Sequence, residues 1–142
     1  MDPAFWDSSS LVRLCVRQNG SSAAEALNAR YAKTVWWGSP VEIQSAIARL
    51  LRMGQITPNG RVQGQVALDR LRRGWREIEP SEAIRDKAET FIERFPLTGA
   101  DALQLSAAWV WCTGKPRNRP FISGDIRLID AARELGFKAM EA

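Results

Sequence analysis

Short runs of apolar and β-branched residues alternate along the chain with longer segments of helical periodicity, and this alternation limits the possible folds. Candidate strands lie at 4–6, 34–37, 76–79, 121–123 and 137–140. Between them apolar residues recur at helical spacing, as in Ile43, Ile47 and Leu50. Strands separated by helices favour right-handed crossovers, so we expect an α/β fold with a central parallel sheet flanked by helices. We see no linker or repeat, which predicts a single domain over 1–142.

Two helix boundaries are predicted from capping and turn residues. Ser21 and Ser22 offer a cap for a helix that we expect to reach about Ala32. Pro58-Asn59-Gly60 is typical of a turn, and we expect it to precede a polar helix over about 62–75.

The chain contains no histidine, and this absence excludes several kinds of chemistry. Imidazole acid–base catalysis, His-dependent nucleophiles and His-containing zinc sites are not available. A net charge of +4 mildly favours a polyanionic partner. Cys15 and Cys112 lie far apart in apolar stretches, as expected of free thiols in a reducing compartment. Because we recognise no signal peptide and no apolar run long enough for a membrane span, we expect a cytoplasmic protein with no membrane partner.

Four carboxylates stand where an apolar segment gives way to a helix. They are Asp7, Glu42, Asp101 and Asp125. Each could serve only its own helix, with Asp7 and Asp125 as N-caps and Glu42 and Asp101 in capping boxes with Ser39 and Thr98. A cap or a favourable contact with the helix dipole is worth about 0.3–1 kcal/mol and requires no further role.

The same four acids also admit a collective role. In a parallel sheet the strand-to-helix junctions share one edge, where ligands bind. Two carboxylates about 6 Å apart repel by roughly 3 kcal/mol at an effective dielectric constant of about 20, which exceeds what a cap supplies. Either the acids lie apart, or a divalent cation such as Mg²⁺ or Mn²⁺ neutralises them.

Four segments of the chain follow, in order, a pattern known from other proteins. They are Phe5-Trp6-Asp7-Ser8-Ser9, Pro40-Val41-Glu42, Leu97-x-x-Ala100-Asp101-Ala102-Leu103-x-Leu105-x-x-Ala108, and Phe121-Ile122-Ser123-x-Asp125-x-x-Leu128-x-x-Ala131-Ala132-x-x-Leu135-Gly136. This pattern resembles PIN domains, and it is most similar to the VapC ribonuclease toxins of bacterial toxin–antitoxin pairs. The resemblance spans nearly the whole chain. One departure is Gln104, where many relatives have histidine.

The resemblance implies a three-layer PIN-like fold and a site built from the acids. Asp7, Glu42, Asp101 and Asp125 fall on the acidic positions of the family, which implies that they are catalytic and hold Mg²⁺ or Mn²⁺. Ser9 and Ser123 fall where a small hydroxyl residue supports such a site. The resemblance also implies an RNA substrate, a cognate antitoxin and a homodimer.

Basic residues give two candidate RNA contacts. Lys115, Arg117 and Arg119 lie in the loop that leads to the strand before Ser123, and we expect them to bind RNA. Seven arginines between 49 and 76 either bind RNA or form a solvated helix face. The predicted function is a metal-dependent endoribonuclease that hydrolyses phosphodiester bonds, as the toxin of a toxin–antitoxin pair. The alternative is a non-catalytic RNA-binding or assembly module with the same fold.

Overall fold

In the computed structural model, which describes all residues 1–142, strands and helices alternate along the chain. The strands are β1 (Asp2–Trp6), β2 (Tyr31–Trp36), β3 (Arg76–Ile78), β4 (Pro120–Ser123) and β5 (Lys138–Glu141). The helices are α1 (Ser8–Cys15), α2 (Ser21–Asn28), α3 (Ser39–Arg52), α4 (Pro58–Gly74), α5 (Glu82–Arg94), α6 (Gly99–Trp111) and α7 (Ile126–Leu135). All strand pairs are parallel, in the order β3-β2-β1-β4-β5. The predicted α/β class is confirmed.

The strand order reverses at β1, the central strand of the sheet. The chain proceeds from β1 outward to β2 and β3, and then crosses back to place β4 on the other side of β1. Trp6 pairs with Ile122, and the backbone N–H of Asp7 donates to Ile122 O at 2.9 Å. In open parallel sheets, the crevice beyond the carboxyl ends of two such strands is where ligands bind.

Two apolar cores lie on opposite faces of the sheet, because successive side chains of a strand point to opposite sides. Phe5 of β1 packs with buried residues of α5, α6 and α7, among them Phe91, Leu105 and Leu128. Trp6 packs on the other face, in the core that α1, α3 and α4 cover. The structure therefore has the three layers, helices on each side of one sheet, that were expected.

The predicted extent of α2 is wrong. This helix ends at Asn28, and Tyr31 already pairs with Asp2 of β1. Tyr31 is buried in the core beneath α1 and α3, so pairing with the central strand outweighs the helical pattern of the alanines before it.

The predicted turn at Pro58-Asn59-Gly60 is also wrong, because these residues form the first turn of α4. Thr57 caps the helix by accepting a 3.0 Å hydrogen bond from Gly60 N. Proline is well accommodated at a first helical position, where its missing N–H would have no partner within the helix.

The prediction of two free thiols is confirmed, and two further local features concern the edge of the sheet and the end of α7. β3 is a short edge strand, and Gly136 ends α7 with φ of 107°, a left-handed conformation that glycine adopts without strain. Cys15 and Cys112 are free thiols, of which Cys112 is buried. None of the seven helices combines the length and the apolar character that a membrane crossing needs.

Candidate active site

The four predicted acids lie along the carboxyl edge of the sheet and influence one another electrostatically. Asp7 directly follows β1, Glu42 lies in the first turn of α3 after β2, Asp101 lies in the first turn of α6, and Asp125 follows β4. Burial is the main cause of the raised pKa of Asp7, Glu42 and Asp101. Repulsion from Asp101 adds to this effect for Asp7 and Glu42, and repulsion from Asp125 adds to it for Asp101. The fold thus brings all four into one coupled group, which we call the acidic cluster.

Asp7 is the most buried member of the cluster, with 4% of its surface exposed. Burial raises the pKa of its carboxyl group, while hydrogen bonds from Ser9 and Ser123 act in the opposite direction. Ser123 Oγ donates to Asp7 Oδ2 at 2.8 Å, and Ser9 Oγ donates to the same oxygen. Asp7 also accepts from Ser9 N and caps α1, as predicted. One carboxylate therefore starts a helix and joins the two serines.

The two serines connect Asp7 to the loop that follows β4. Ser9 Oγ accepts a 2.8 Å hydrogen bond from Gly124 N, and Ser123 Oγ accepts one of 3.0 Å from Asp125 N. The two hydroxyl oxygens lie 3.3 Å apart. The start of α1 and the start of α7 are thereby fixed relative to each other at the cluster.

The predicted capping box at the start of α3 is absent. The N-cap residue is Gly38, without a side-chain hydrogen bond, and Ser39 Oγ accepts instead from Gln104 Nε2 at 3.1 Å. Gln104 Nε2 also lies 3.1 Å from Glu42 Oε1 and 2.7 Å from Ser8 Oγ. The buried amide of Gln104 thus contacts both Ser39 and Glu42, and Glu42 does not close its own helix.

Gln104 is a site residue whose contacts the sequence did not reveal. It is fully buried, and its Oε1 atom has no hydrogen-bond partner. The signal that could have pointed to this residue is a glutamine in the middle of an otherwise apolar helical stretch. Buried amides generally have hydrogen-bond partners, so such a glutamine indicates polar groups nearby.

Burial raises the pKa of Glu42 to about 7, and repulsion from Asp7 adds to this effect. Hydrogen bonds from Gln104 and Ser8 oppose it. Glu42 therefore loses its proton near neutral pH in the metal-free chain.

Asp101 and Asp125 each combine a helix start with membership of the cluster. Thr98 caps α6 by accepting a 3.2 Å hydrogen bond from Asp101 N. Burial raises the pKa of the Asp101 carboxyl group, and hydrogen bonds with Thr98 partly offset this effect. Asp125 caps α7 through a 2.9 Å bond from Arg127 N, as predicted. Both helix starts are satisfied, yet the pKa of Asp101 remains raised.

No arginine or lysine forms an ion pair with any acid of the cluster. The three ion pairs of the chain lie elsewhere, at Arg17–Glu25, Arg85–Glu82 and Arg94–Glu134. Carboxylate and hydroxyl oxygens are the donors that Mg²⁺ and Mn²⁺ prefer, so the donor set fits such a cation. In the conformation described, however, no three metal-binding side chains come close enough together to hold an ion.

The predicted RNA-binding loop lies at the other edge of the sheet. Lys115, Arg117 and Arg119 precede β4, whereas the acidic cluster follows it. The four residues of β4 span about 10 Å at the usual rise of a strand. Arg119 stacks over Trp111, with its Cζ atom 4.1 Å from the ring centroid. RNA binding by this loop stays a prediction. If the loop binds RNA, it contacts a part of the substrate that lies away from the acids.

Comparison with known proteins identifies the fold. No protein-family model and no curated protein matches the sequence. VapBC2 from Rickettsia felis, solved with a DNA fragment from its promoter, is similar in structure at a TM-score of 0.64 and 13% identity, over 96% of this chain and 97% of that chain. The chain has a PIN-like fold. Its fold is thus the one that the sequence motifs implied.

Two further solved structures support this assignment. A toxin–antitoxin complex from Klebsiella pneumoniae matches with a TM-score of 0.62 and 17% identity, covering 87% of this chain and 88% of that chain. PAE2754 from Pyrobaculum aerophilum matches with a TM-score of 0.64 and 17% identity, covering 92% of this chain and 79% of that chain. The PIN-like fold therefore recurs here at low sequence identity.

Proposed function

We propose that this PIN-like protein is a metal-dependent endoribonuclease of the VapC type and the toxin of a toxin–antitoxin pair. The observation that carries the proposal is the acidic cluster. Four carboxylates are coupled at the carboxyl edge of the sheet, beside the point where the strand order reverses, and no cationic side chain is paired with them. Perturbed acids at such a crevice are typical of a catalytic site.

Asp7, Glu42, Asp101 and Asp125 are the residues that would hold Mg²⁺ or Mn²⁺. When bound, the cation would supply Lewis-acid assistance to phosphodiester hydrolysis and neutralise the carboxylate charge. The absence of histidine supports such a route, because imidazole cannot provide the acid and base of a metal-independent ribonuclease here.

The neighbours of the acids position them. Ser9 and Ser123 fix Asp7 Oδ2 from two elements, and Gln104 Nε2 holds Glu42 Oε1. Side chains held by partners from other elements lose little freedom when a substrate binds, which favours precise placement of a reacting phosphate.

A cognate antitoxin is the proposed protein partner, since one of the similar structures is a toxin–antitoxin complex and another is VapBC2. The exposed apolar side chains Val62 and Val66 of α4 lie with Ile47 of α3 around a groove of about 270 Å³. We propose that an apolar segment of the antitoxin binds in this groove between the two helices. The homodimer and the cytoplasmic location stay predictions.

One observation favours the alternative, a non-catalytic RNA-binding or assembly module. The acids do not form a group of three that could hold a metal ion in the conformation described. A module of this kind would keep the basic surface and the fold but would not respond to divalent cations.

The two functions separate in an assay with end-labelled single-stranded RNA in Mg²⁺, in Mn²⁺ and in EDTA. We expect cleavage only with a divalent cation, products with 5′-phosphate and 3′-hydroxyl ends, and loss of cleavage in Asp7→Asn. RNA binding without cleavage under all three conditions would favour the alternative. Cleavage that persists in EDTA with cyclic-phosphate ends would overturn the proposed mechanism.

A further inference from the structure

Arg13 lies on the side of α1 that faces the loop between β4 and α7. It follows Ser9 by four residues, so the two side chains are neighbours on one helix face. Ser9 Oγ accepts from Gly124 N, which brings this face against the loop between β4 and α7. The carbonyl oxygen of Arg13 accepts a 2.9 Å hydrogen bond from Ser21 Oγ, which ties its backbone to the start of α2.

The guanidinium group of Arg13 is confined between two glycines. A Cβ atom placed on Gly124 would lie 2.5 Å from Arg13 Nη1 and 2.6 Å from Cζ. A Cβ atom placed on Gly20 would lie 2.7 Å from the same Nη1 and 2.8 Å from Cζ. Contacts this short do not occur, so the guanidinium occupies its place only because both positions lack side chains.

This confined guanidinium has no partner within the chain. Arg13 forms no ion pair, and its side chain donates no hydrogen bond, although the residue is part-buried. Arg17, one turn further along the chain, does have partners. Its Nη1 atom lies 2.9 Å from Glu25 Oε1, and its Nη2 atom donates to Ser22 Oγ at 3.0 Å. A fixed fork of N–H donors without an internal acceptor is suited to a phosphate, which accepts two parallel hydrogen bonds.

The position of Gly124 places this group beside the candidate active site. Gly124 stands between Ser123, which binds Asp7, and Asp125, which caps α7. We propose that Arg13 binds an RNA phosphate that neighbours the cleaved phosphodiester, and that Gly20 and Gly124 keep the space in which its guanidinium lies. This inference rests on the proposed ribonuclease function.

The test measures the binding of a fluorescein-labelled single-stranded RNA by anisotropy at several salt concentrations, with Asp101→Asn in every protein to prevent cleavage. Loss of one phosphate contact on a single strand lowers the slope of log K against log salt by about 0.7. We expect Arg13→Ala to show this decrease and to bind about 5-fold to 10-fold more weakly at moderate salt. Arg13→Lys keeps the charge, so it retains the slope while losing part of the affinity. Arg17→Ala is the matched control and leaves both quantities unchanged.

Gly124→Ala provides an independent test that leaves Arg13 in place. Its new methyl group meets the far end of a flexible side chain, so the guanidinium must move while the backbone need not. We expect Gly124→Ala to weaken RNA binding as Arg13→Ala does, and to add no further loss in the double variant. Thermal melts of all variants report whether each one is folded.

The outcomes distinguish this inference from the function on which it rests. If Arg13→Ala binds RNA with an unchanged salt slope, the inference alone is overturned. It is also overturned if Arg13→Ala loses thermal stability while its RNA binding stays unchanged, because Arg13 would then only stabilise the loops. Failure of the Asp101→Asn parent to bind RNA, with no cleavage by the unmodified chain in Mg²⁺ or Mn²⁺, would overturn the proposed function itself.

Discussion

Gln104 Nε2 lies 3.1 Å from Glu42 Oε1, which joins an amide in the middle of α6 to a carboxylate at the start of α3. The same nitrogen contacts Ser8 and Ser39, so one buried side chain connects the helices that follow β1 and β2. Its three contacting groups lie at the starts of α1 and α3, and they meet Gln104 of α6 only in the folded chain. This contact holds the Glu42 carboxylate in its place within the acidic cluster.

Gln104→Leu removes this donor while keeping a similar volume. We expect the free energy of unfolding to fall by about 1–3 kcal/mol, because buried hydroxyl groups and a carboxylate lose their partner. Urea unfolding measures the change. Gln65→Leu is the matched control, since Gln65 donates to Asp69 on the exposed face of α4 and its loss should cost less than about 0.5 kcal/mol. Equal effects of the two substitutions would contradict a structural role of the buried amide.

Glu42 gives the metal-free protein a stability that depends on pH. Its carboxyl group has a pKa of about 7 in the folded chain and an ordinary value of 4.5, so between these values the folded chain holds a proton that the unfolded chain has released. The free energy of unfolding must therefore fall as the pH rises from about 4.5 to 7. Allowing for solvent screening at this part-exposed group, we expect a loss of about 1–2 kcal/mol.

Glu42→Gln tests the assignment of this pH dependence. The amide cannot release a proton, so urea unfolding in EDTA between pH 4.5 and 7 should show a flatter profile than the wild type. An identical profile for both proteins would mean that other groups cause the dependence.

Asp101→Asn separates a helix-capping role from membership of the acidic cluster. Loss of the charge removes a helix-dipole contribution of about 0.3–1 kcal/mol, but it also removes repulsion from Asp125 and the cost of burying a charge. We expect the net effect in EDTA to be unchanged or increased stability, together with loss of cleavage. In Mg²⁺ the wild type should gain more stability than the variant.

Thermal melts in EDTA and in millimolar Mg²⁺ measure both effects. Asp130→Asn, an exposed acid of α7 outside the cluster, is the control and should change stability by less than about 0.5 kcal/mol. A lower melting temperature of Asp101→Asn in EDTA, with equal responses of both proteins to Mg²⁺, would assign Asp101 to its helix alone.

Arg117→Ala combined with Arg119→Ala tests the basic loop before β4. If both side chains contact phosphates, the slope of log K against log salt should decrease by about 1.4 for a single-stranded RNA. Metal affinity, measured by calorimetry with Mn²⁺, should stay unchanged because the loop lies at the opposite end of β4 from the acids. An unchanged slope would show that the loop is a solvated surface.

The sequence predicted the elements whose signals are local. Strand composition located all five strands, and capping chemistry placed Asp7 and Asp125 at helix starts correctly. The end of α2 was missed because the pairing of Tyr31 with β1 is a tertiary contact that a window of neighbouring residues does not contain.

The arrangement at the acids could be anticipated only in part. A parallel sheet explains why acids that follow different strands share one edge. The failure of Ser39 and Glu42 to form a capping box, by contrast, depends on Gln104, which reaches them from α6. Likewise, the place of Arg13 depends on two glycines that are distant from each other in sequence.

The central position of β1 also governs when the site can exist during synthesis. Asp7 leaves the ribosome early, but the Ser123 hydroxyl that binds it comes 116 residues later, and β4 must insert beside β1 before the two can meet. A nascent chain that stops before β4 lacks Ser123 and Asp125, and with them one side of the cluster. The acidic cluster is therefore complete only after synthesis has passed β4, and any activity that depends on this cluster must wait for that element.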